Sequence, residues 1–255
     1  MSGHSKWNNI KRKKGASDAA KAKVFTKVAR EMSVAVKEGG ADPDTNGKLR
    51  DCIANAKRRS CTARAKAANI PNENIERCIK KAAGSEDKNS YEEMVYEGYG
   101  PNGVAVIIES LTDNRNRTAA NMRHYFDKFG GNLGQMGCVG FMFTQKGVIV
   151  VDLEDADPDQ LMMDALDAGA EDFDAGEEAA QVTTDPDNFT AVCNALEEKG
   201  YKFISADVAQ VPSTTTALTD PDQLVNMGKL LDALEENDDV QNVWHSLENE
   251  EDLPE

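Results

Sequence analysis

Apolar residues recur at spacings of three and four over roughly the first third of the chain, and this rhythm predicts helices. The first follows Ser17 and Asp18, either of which can cap its start, and runs to Gly39-Gly40, where glycine can end it. Phe25, Val28, Met32 and Ala35/Val36 form its stripe, while Lys21, Lys23, Lys27 and Arg30 lie mostly elsewhere, which predicts a basic outer surface. A second segment repeats the pattern with Leu49, Cys52, Ile53 and Ala56. A third, after Pro71, does so with Ile75, Cys78, Ile79 and Ala82 before Gly84. Amphipathic helices need one another to bury their stripes, so a helical bundle over about 17–84 is expected.

After the polar stretch 85–93, which reads as a linker, the period changes. VAVIIES (104–110) has the continuous apolar character of a buried strand, and TDNRNRT leads into a helix with Met122, Phe126 and Phe129 on one face, closed by Gly130-Gly131. VGFMF (139–143) and GVIVV (147–151) suggest a hairpin around Gln145-Lys146. Asp157-Pro158, Asp185-Pro186 and Asp220-Pro221 each place a capping carboxylate before a proline suited to a first helical turn. The helices behind them carry Leu161/Ala165/Leu166, Phe189/Val192/Cys193/Leu196 and Leu224/Met227/Leu231/Leu234. Strands at 203–211 and 240–244 complete the set. The order reads as strand, helix, a β-β-α-β-α-β module, then strand, helix, strand. The expected fold is α+β: a helical N-terminal bundle plus two α/β sandwich domains of split β-α-β type, one inserted in the other. The expected boundaries are 1–84 for the basic helical domain, 94–136 with 208–246 for the discontinuous second domain, 137–207 for the inserted third, and 247–255 for an acidic tail.

Charge sharpens this division. Residues 1–90 hold 21 Lys/Arg against 10 Asp/Glu, a net +11, whereas residues 91–255 hold 8 against 35, a net −27. A basic segment attracts a polyanion, and the acidic remainder limits indiscriminate sticking to one. No apolar run is long enough to span a bilayer, and the basic opening lacks the hydrophobic centre of a secretory signal, although an organelle presequence would share its acid-poor character. The five cysteines, Cys52, Cys61, Cys78, Cys138 and Cys193, include no C-x-x-C pair. Reduced thiols and a cytoplasmic location are expected.

Catalytic and cofactor patterns fail on context. GYGPNG (98–103) matches G-x-G-x-x-G, but its glycines precede a strand instead of opening a helix, so it reads as a turn. DADPDQ (155–160) begins like a calcium loop yet has Gln160 where glycine is needed and Leu166 where a bidentate glutamate is needed. His4, His124 and His245 have no ligand-spaced partners. No metal, no cofactor and no catalysis are expected. What stands out is GHSKWNNIKRKK (3–14): Lys6, Lys11, Arg12, Lys13 and Lys14, followed by Lys21, Lys23 and Lys27, suit phosphate neutralisation, and Trp7 either stacks on a base or docks on the protein's own core. Arg115 and Arg117 open a helix, an unfavourable place for cations beside the macrodipole, and pairing with carboxylates of the body is the favoured compensation over a bound phosphate.

GHSKWNNIKRKK, VFTKVAREMSVAVKEGGADPD, NIPNENIERCIKKAAG, YEGYGPNGVAVIIESLTDNRNRTAANMRHYFDKFGGNLG and DDVQNVWH together resemble the YebC/PmpR family across nearly the whole chain. The resemblance implies a helical N-terminal domain and two α/β domains, the third inserted in the second. It also implies DNA-binding transcriptional regulation in bacteria, translational activation in mitochondrial relatives such as the activator of cytochrome c oxidase subunit one, and a link of some members to stalled ribosomes. Lys6, Trp7, Lys11, Arg12, Lys13 and Lys14 match the family's basic opening motif. The chain departs from the family pattern at 58–66, where RRSCTARAK is interposed. Arg58 and Arg59 join the candidate contact set, with Arg64 and Lys66 beside them, in a piece that either enlarges the basic surface or is simply solvated. The expected function is a non-enzymatic, nucleic-acid-binding regulator of gene expression, a DNA-binding transcriptional regulator in the first instance. The alternatives are a translation factor bound to rRNA on the ribosome and, further off, a protein-interaction scaffold. A protein partner is also expected for the acidic α/β body.

Overall fold

The computed structural model describes residues 18–50, 52–53, 72–84 and 91–254. Two compact units are distinguished: residues 144–211 in one, and described residues of 16–54, 70–143 and 212–255 in the other.

The larger unit begins with helix α1 (Asp18–Gly39) and, after a helical segment at 47–50 and 52–53, helix α2 (Asn72–Gly84). The predicted stripes are where these helices meet: Val28, Met32, Ala35, Val36, Leu49, Ile75 and Ala82 are buried. The predicted stop of α1 has a clear cause. Gly40 adopts φ +88°, and the buried Asn46 donates from Nδ2 to the carbonyls of Ala35 (2.7 Å) and Gly40 (2.8 Å). The same side chain accepts from the Leu49 amide (3.1 Å), so one residue closes α1 and opens the next helical segment.

The unit continues with β1 (Glu92–Tyr99), β2 (Ala105–Thr112), α3 (Arg115–Lys128) and the short β3 (Asn132–Leu133), and finishes with α6 (Pro221–Glu236) and β8 (Val240–His245). Its sheet has the order β3-β1-β2-β8 with antiparallel neighbours. Met122 and Phe126 of α3 and Met227, Leu230, Leu231 and Leu234 of α6 cover one face, against Tyr96, Val106, Ile108 and Val240. On the other face Ala105 and Ile107 lie under Val139 and Phe143. Burial on both faces explains why β2 is a continuous apolar run instead of an alternating one.

The smaller unit is built from β4 (Phe143–Asp152), α4 (Pro158–Asp167), β5 (Asp172–Ala175), β6 (Ala179–Thr184), α5 (Phe189–Glu198) and β7 (Phe203–Pro212). This is a β-α-β-β-α-β unit with strand order β5-β6-β4-β7, the split β-α-β arrangement. Leu161, Ala165, Val192, Cys193 and Leu196 of its helices pack on Ile149, Val151, Ala180 and Val182 of its sheet. The α+β class and the lodging of one α/β sheet between the parts of another are as expected.

Several local expectations are corrected. No hairpin forms at Gln145-Lys146. A 3-10 turn occupies Gly140–Met142, and β4 runs unbroken from Phe143 to Asp152, so the module is not the expected β-β-α-β-α-β. Gly147 is a packing glycine, not a turn glycine: a Cβ there would lie 2.2 Å from Thr184 Oγ1 and 2.6 Å from the Phe189 ring. The hairpin belongs to β5 and β6. Asp185-Pro186 forms a turn instead of opening a helix; Asp185 Oδ1 accepts from the Asp187 amide (2.8 Å), and α5 starts at Phe189. Asp157 and Asp220, by contrast, cap α4 and α6 as read, each accepting from the amide two residues on. β1 begins at Glu92, inside the expected linker. Leu166, assigned to the buried stripe of α4, is exposed.

Candidate nucleic-acid interface

Lys6, Trp7, Lys11, Arg12, Lys13, Lys14, Arg58 and Arg59 lie outside the described residues, and so do the side chains of Lys21 and Lys23, whose backbone belongs to α1. Lys27 is described, and it does not face outward. It is half-buried, and its Nζ donates to the carbonyl of Glu235 at the C-terminal end of α6 (3.3 Å). One turn further along α1, Arg30 Nη1 donates to the Asp238 carbonyl and to Asp239 Oδ1 (3.0 Å), with its guanidinium 5.4 Å from the centre of the Tyr91 ring. The expected basic outer surface of α1 is therefore corrected along this part of the helix. The last carbonyls of a helix are unpaired and carry its negative end, and two aspartates follow them, so the cations turn inward.

Asp239 is the centre of this junction. It is buried, and its Oδ2 accepts from Arg117 Nη2 (2.7 Å), Thr118 Oγ1 (2.8 Å) and Thr112 Oγ1 (3.3 Å), while Oδ1 takes Arg30. Burial works to raise its carboxyl pKa, but the hydrogen bonds from Arg117 and Thr118 and the charges of Arg117 and Arg30 hold it below the usual value. Arg117 also pairs with Asp113 (2.7 Å), and its pKa is raised by the bonds to Asp239 and Asp113. Arg115 pairs through Nε with Glu92 (3.3 Å). The cations at the start of α3 are thus compensated internally, as the sequence favoured.

Helix α2 behaves differently. Arg77, Lys80 and Lys81 stand at i, i+3 and i+4 on the face opposite Ile75, Ile79 and Ala82, and all three are exposed. Among the described residues Lys80 pairs with Glu76 at 3.7 Å, a separation at which an exposed pair contributes little. These residues were not singled out from the sequence, although their helical spacing was legible there. Among the described residues there is no group of His, Cys, Asp and Glu placed to hold a metal ion, and no helix long and apolar enough to cross a membrane.

The class is now defined: an α+β protein with a basic helical portion and two four-stranded antiparallel sheets, each with helices packed on it. A model of the TACO1/YebC protein N-terminal domain matches residues 5–85, and one of the TACO1/YebC second and third domain matches residues 91–247. The chain belongs to the TACO1/YebC family. It is similar to a protein of Ruminiclostridium cellulolyticum, 58% identical over 252 residues and 98% of each chain. It is equally similar to one of Acetivibrio thermocellus, 58% identical over 247 residues, 96% of this chain and 98% of the relative. Both relatives carry the name probable transcriptional regulatory protein. The crystal structure of a conserved hypothetical protein from Aquifex aeolicus matches with a TM-score of 0.79 and 42% identity over 91% of both chains.

Proposed function

We propose that this protein is a non-catalytic, cytoplasmic regulator of gene expression that holds nucleic acid through its basic N-terminal domain (1–84) and reaches a protein partner through its acidic α/β body. The observation that carries the reading is the division of charge, +11 over residues 1–90 against −27 over the rest. Phosphate neutralisation with counterion release needs such a dense cationic segment, and an acidic body keeps the contact confined to it. The contact set comprises Lys6, Trp7, Lys11, Arg12, Lys13, Lys14, Lys21, Lys23, Arg58 and Arg59, extended by Arg77, Lys80 and Lys81 on the open face of α2. Lys27 holds α1 against α6 instead. The names of the relatives support transcription as the process regulated, with DNA as the nucleic acid such a role would contact. The resemblance of the sequence to a family whose mitochondrial relatives activate translation supports a second reading, in which the same cations meet ribosomal RNA.

The test is sedimentation of a lysate with and without RNase, followed by sequencing of crosslinked nucleic acid, for wild type and a Lys11/Arg12/Lys13/Lys14→Glu variant. Promoter DNA lost in the variant supports transcription; ribosome co-migration and rRNA crosslinks lost in the variant support translation. Absence of both kinds of nucleic acid overturns the reading.

A further inference from the structure

The loop between β3 and β4 is built at the cost of a buried charge. Glu97 of β1 is buried, and its carboxylate accepts from the amides of Gly137 (2.8 Å), Val139 (2.8 Å) and Gly140 (2.7 Å). Burial alone would raise its pKa; the three amides bring it below the ordinary value, so the carboxylate stays ionised and fully engaged. Tyr99 Oη donates to the Cys138 carbonyl (3.1 Å), the Gly134 amide donates to the Glu97 carbonyl (2.8 Å), and the Ser213 amide donates to the Met142 carbonyl (2.8 Å). Gly137 takes φ +86°, a conformation that disfavours other residues. Val139 and Phe143 point inward and cover the sheet.

Two side chains of this braced loop point the other way. Met136 is 75% exposed and Phe141 79%, and among the described residues the next most exposed large apolar side chain is Met163 at 59%. The loop also lacks the solubilising charge of the rest of the surface. From Phe129 to Gln145, seventeen residues carry no ionisable Asp, Glu, Lys or Arg, in a chain of which 29% is charged. The α/β part of the same unit, residues 91–143 and 212–255, holds 5 Lys/Arg against 18 Asp/Glu, a net −13.

From this combination we infer that the 134–142 loop is a preformed protein-docking element, whose Met136 and Phe141 insert into an apolar cleft rimmed by cations on a partner protein. Met and Phe are enriched at the centres of protein interfaces, and fixing the loop beforehand removes the ordering cost of association. The acidic surroundings select the partner by charge: they repel a phosphate backbone and attract a basic rim. The inference rests on the reading that the acidic body meets protein, and it names the contact.

The experiment places p-benzoylphenylalanine at position 141 of the full chain in cells, identifies the crosslinked protein, and titrates that purified protein with wild type, a Met136→Ser/Phe141→Ser double variant, and Met163→Ser as an exposed apolar control in the other unit. Affinity falls at least ~30-fold in the double variant and is unchanged in the control, as for loss of central interface anchors. It also weakens with salt, survives nuclease, and is unaltered by Lys11/Arg12/Lys13/Lys14→Glu, which separates it from the nucleic-acid reading. An unchanged melting temperature of the double variant excludes misfolding. Crosslinks only to nucleic acid, only to a second copy of this chain, or at no more than the level given by the same probe at position 163 overturn the inference. A partner that binds residues 91–255 yet ignores the loop substitutions overturns the loop's role while leaving the acidic body's partner intact.

Discussion

Helices α1 and α2 belong to the same basic portion of the chain, yet they place their cations in opposite surroundings. Lys27 and Arg30 of α1 are tied to the C-terminal end of α6 and to Asp238 and Asp239, more than 200 residues away. Arg77, Lys80 and Lys81 of α2 form an open face. The difference follows from what faces the cations: a helix terminus followed by aspartates draws those of α1 inward, whereas those of α2 lie on the face away from its buried stripe and stay in solvent. Charge at a position therefore says little about its role until the facing element is known.

The largest effect is expected at Asp239. Asp239→Ala removes the acceptor shared by Arg30, Arg117, Thr112 and Thr118, and is expected to lower unfolding stability by about 2–3 kcal/mol in a urea titration, as for loss of charged hydrogen bonds at a buried site. Substituting Arg77, Lys80 and Lys81 together by Gln is expected to leave stability within about 0.5 kcal/mol and to weaken nucleic-acid binding most at low salt.

Acid provides a gentler probe. Asp239 and Glu97 both have folded pKa values below their usual ones, so each contributes stability that is present above the ordinary carboxylate range and is lost as pH falls through the depressed folded values. Urea titrations stepped downward from about pH 5 should show this loss, with a shallower dependence in an Asp239→Asn or Glu97→Gln variant. The smallest effect is expected at Phe141→Ser, whose side chain is almost wholly in water: a stability change within about 0.5 kcal/mol by thermal or urea unfolding.

What was legible in the sequence was what depends on neighbours along the chain. The α5 stripe Phe189/Val192/Cys193/Leu196 is buried as read, and Asp157 and Asp220 cap their helices, because periodicity and capping act within a few residues. β1 carried no such signal: its buried residues are Tyr96, Glu97 and Gly98, a tyrosine, a carboxylate held by a distant loop, and a glycine whose missing Cβ admits the β3 backbone. The supposed turn before Gly147 failed for the same reason, since that glycine answers to Phe189, not to its neighbours. At the candidate interface, the density of positive charge was plain, but the inward turn of Lys27 was not, since its partner lies 208 positions away.

The most direct test of this account is the dependence of nucleic-acid affinity on salt for three full-length proteins: wild type, Lys27→Gln/Arg30→Gln, and Arg77→Gln/Lys80→Gln/Lys81→Gln. Each phosphate contact contributes roughly 0.7–0.9 to the slope of log affinity against log salt. The triple variant is expected to lower the slope by about 2–3 while the pair leaves it unchanged. A slope carried by Lys27 and Arg30, with none lost from α2, would contradict it.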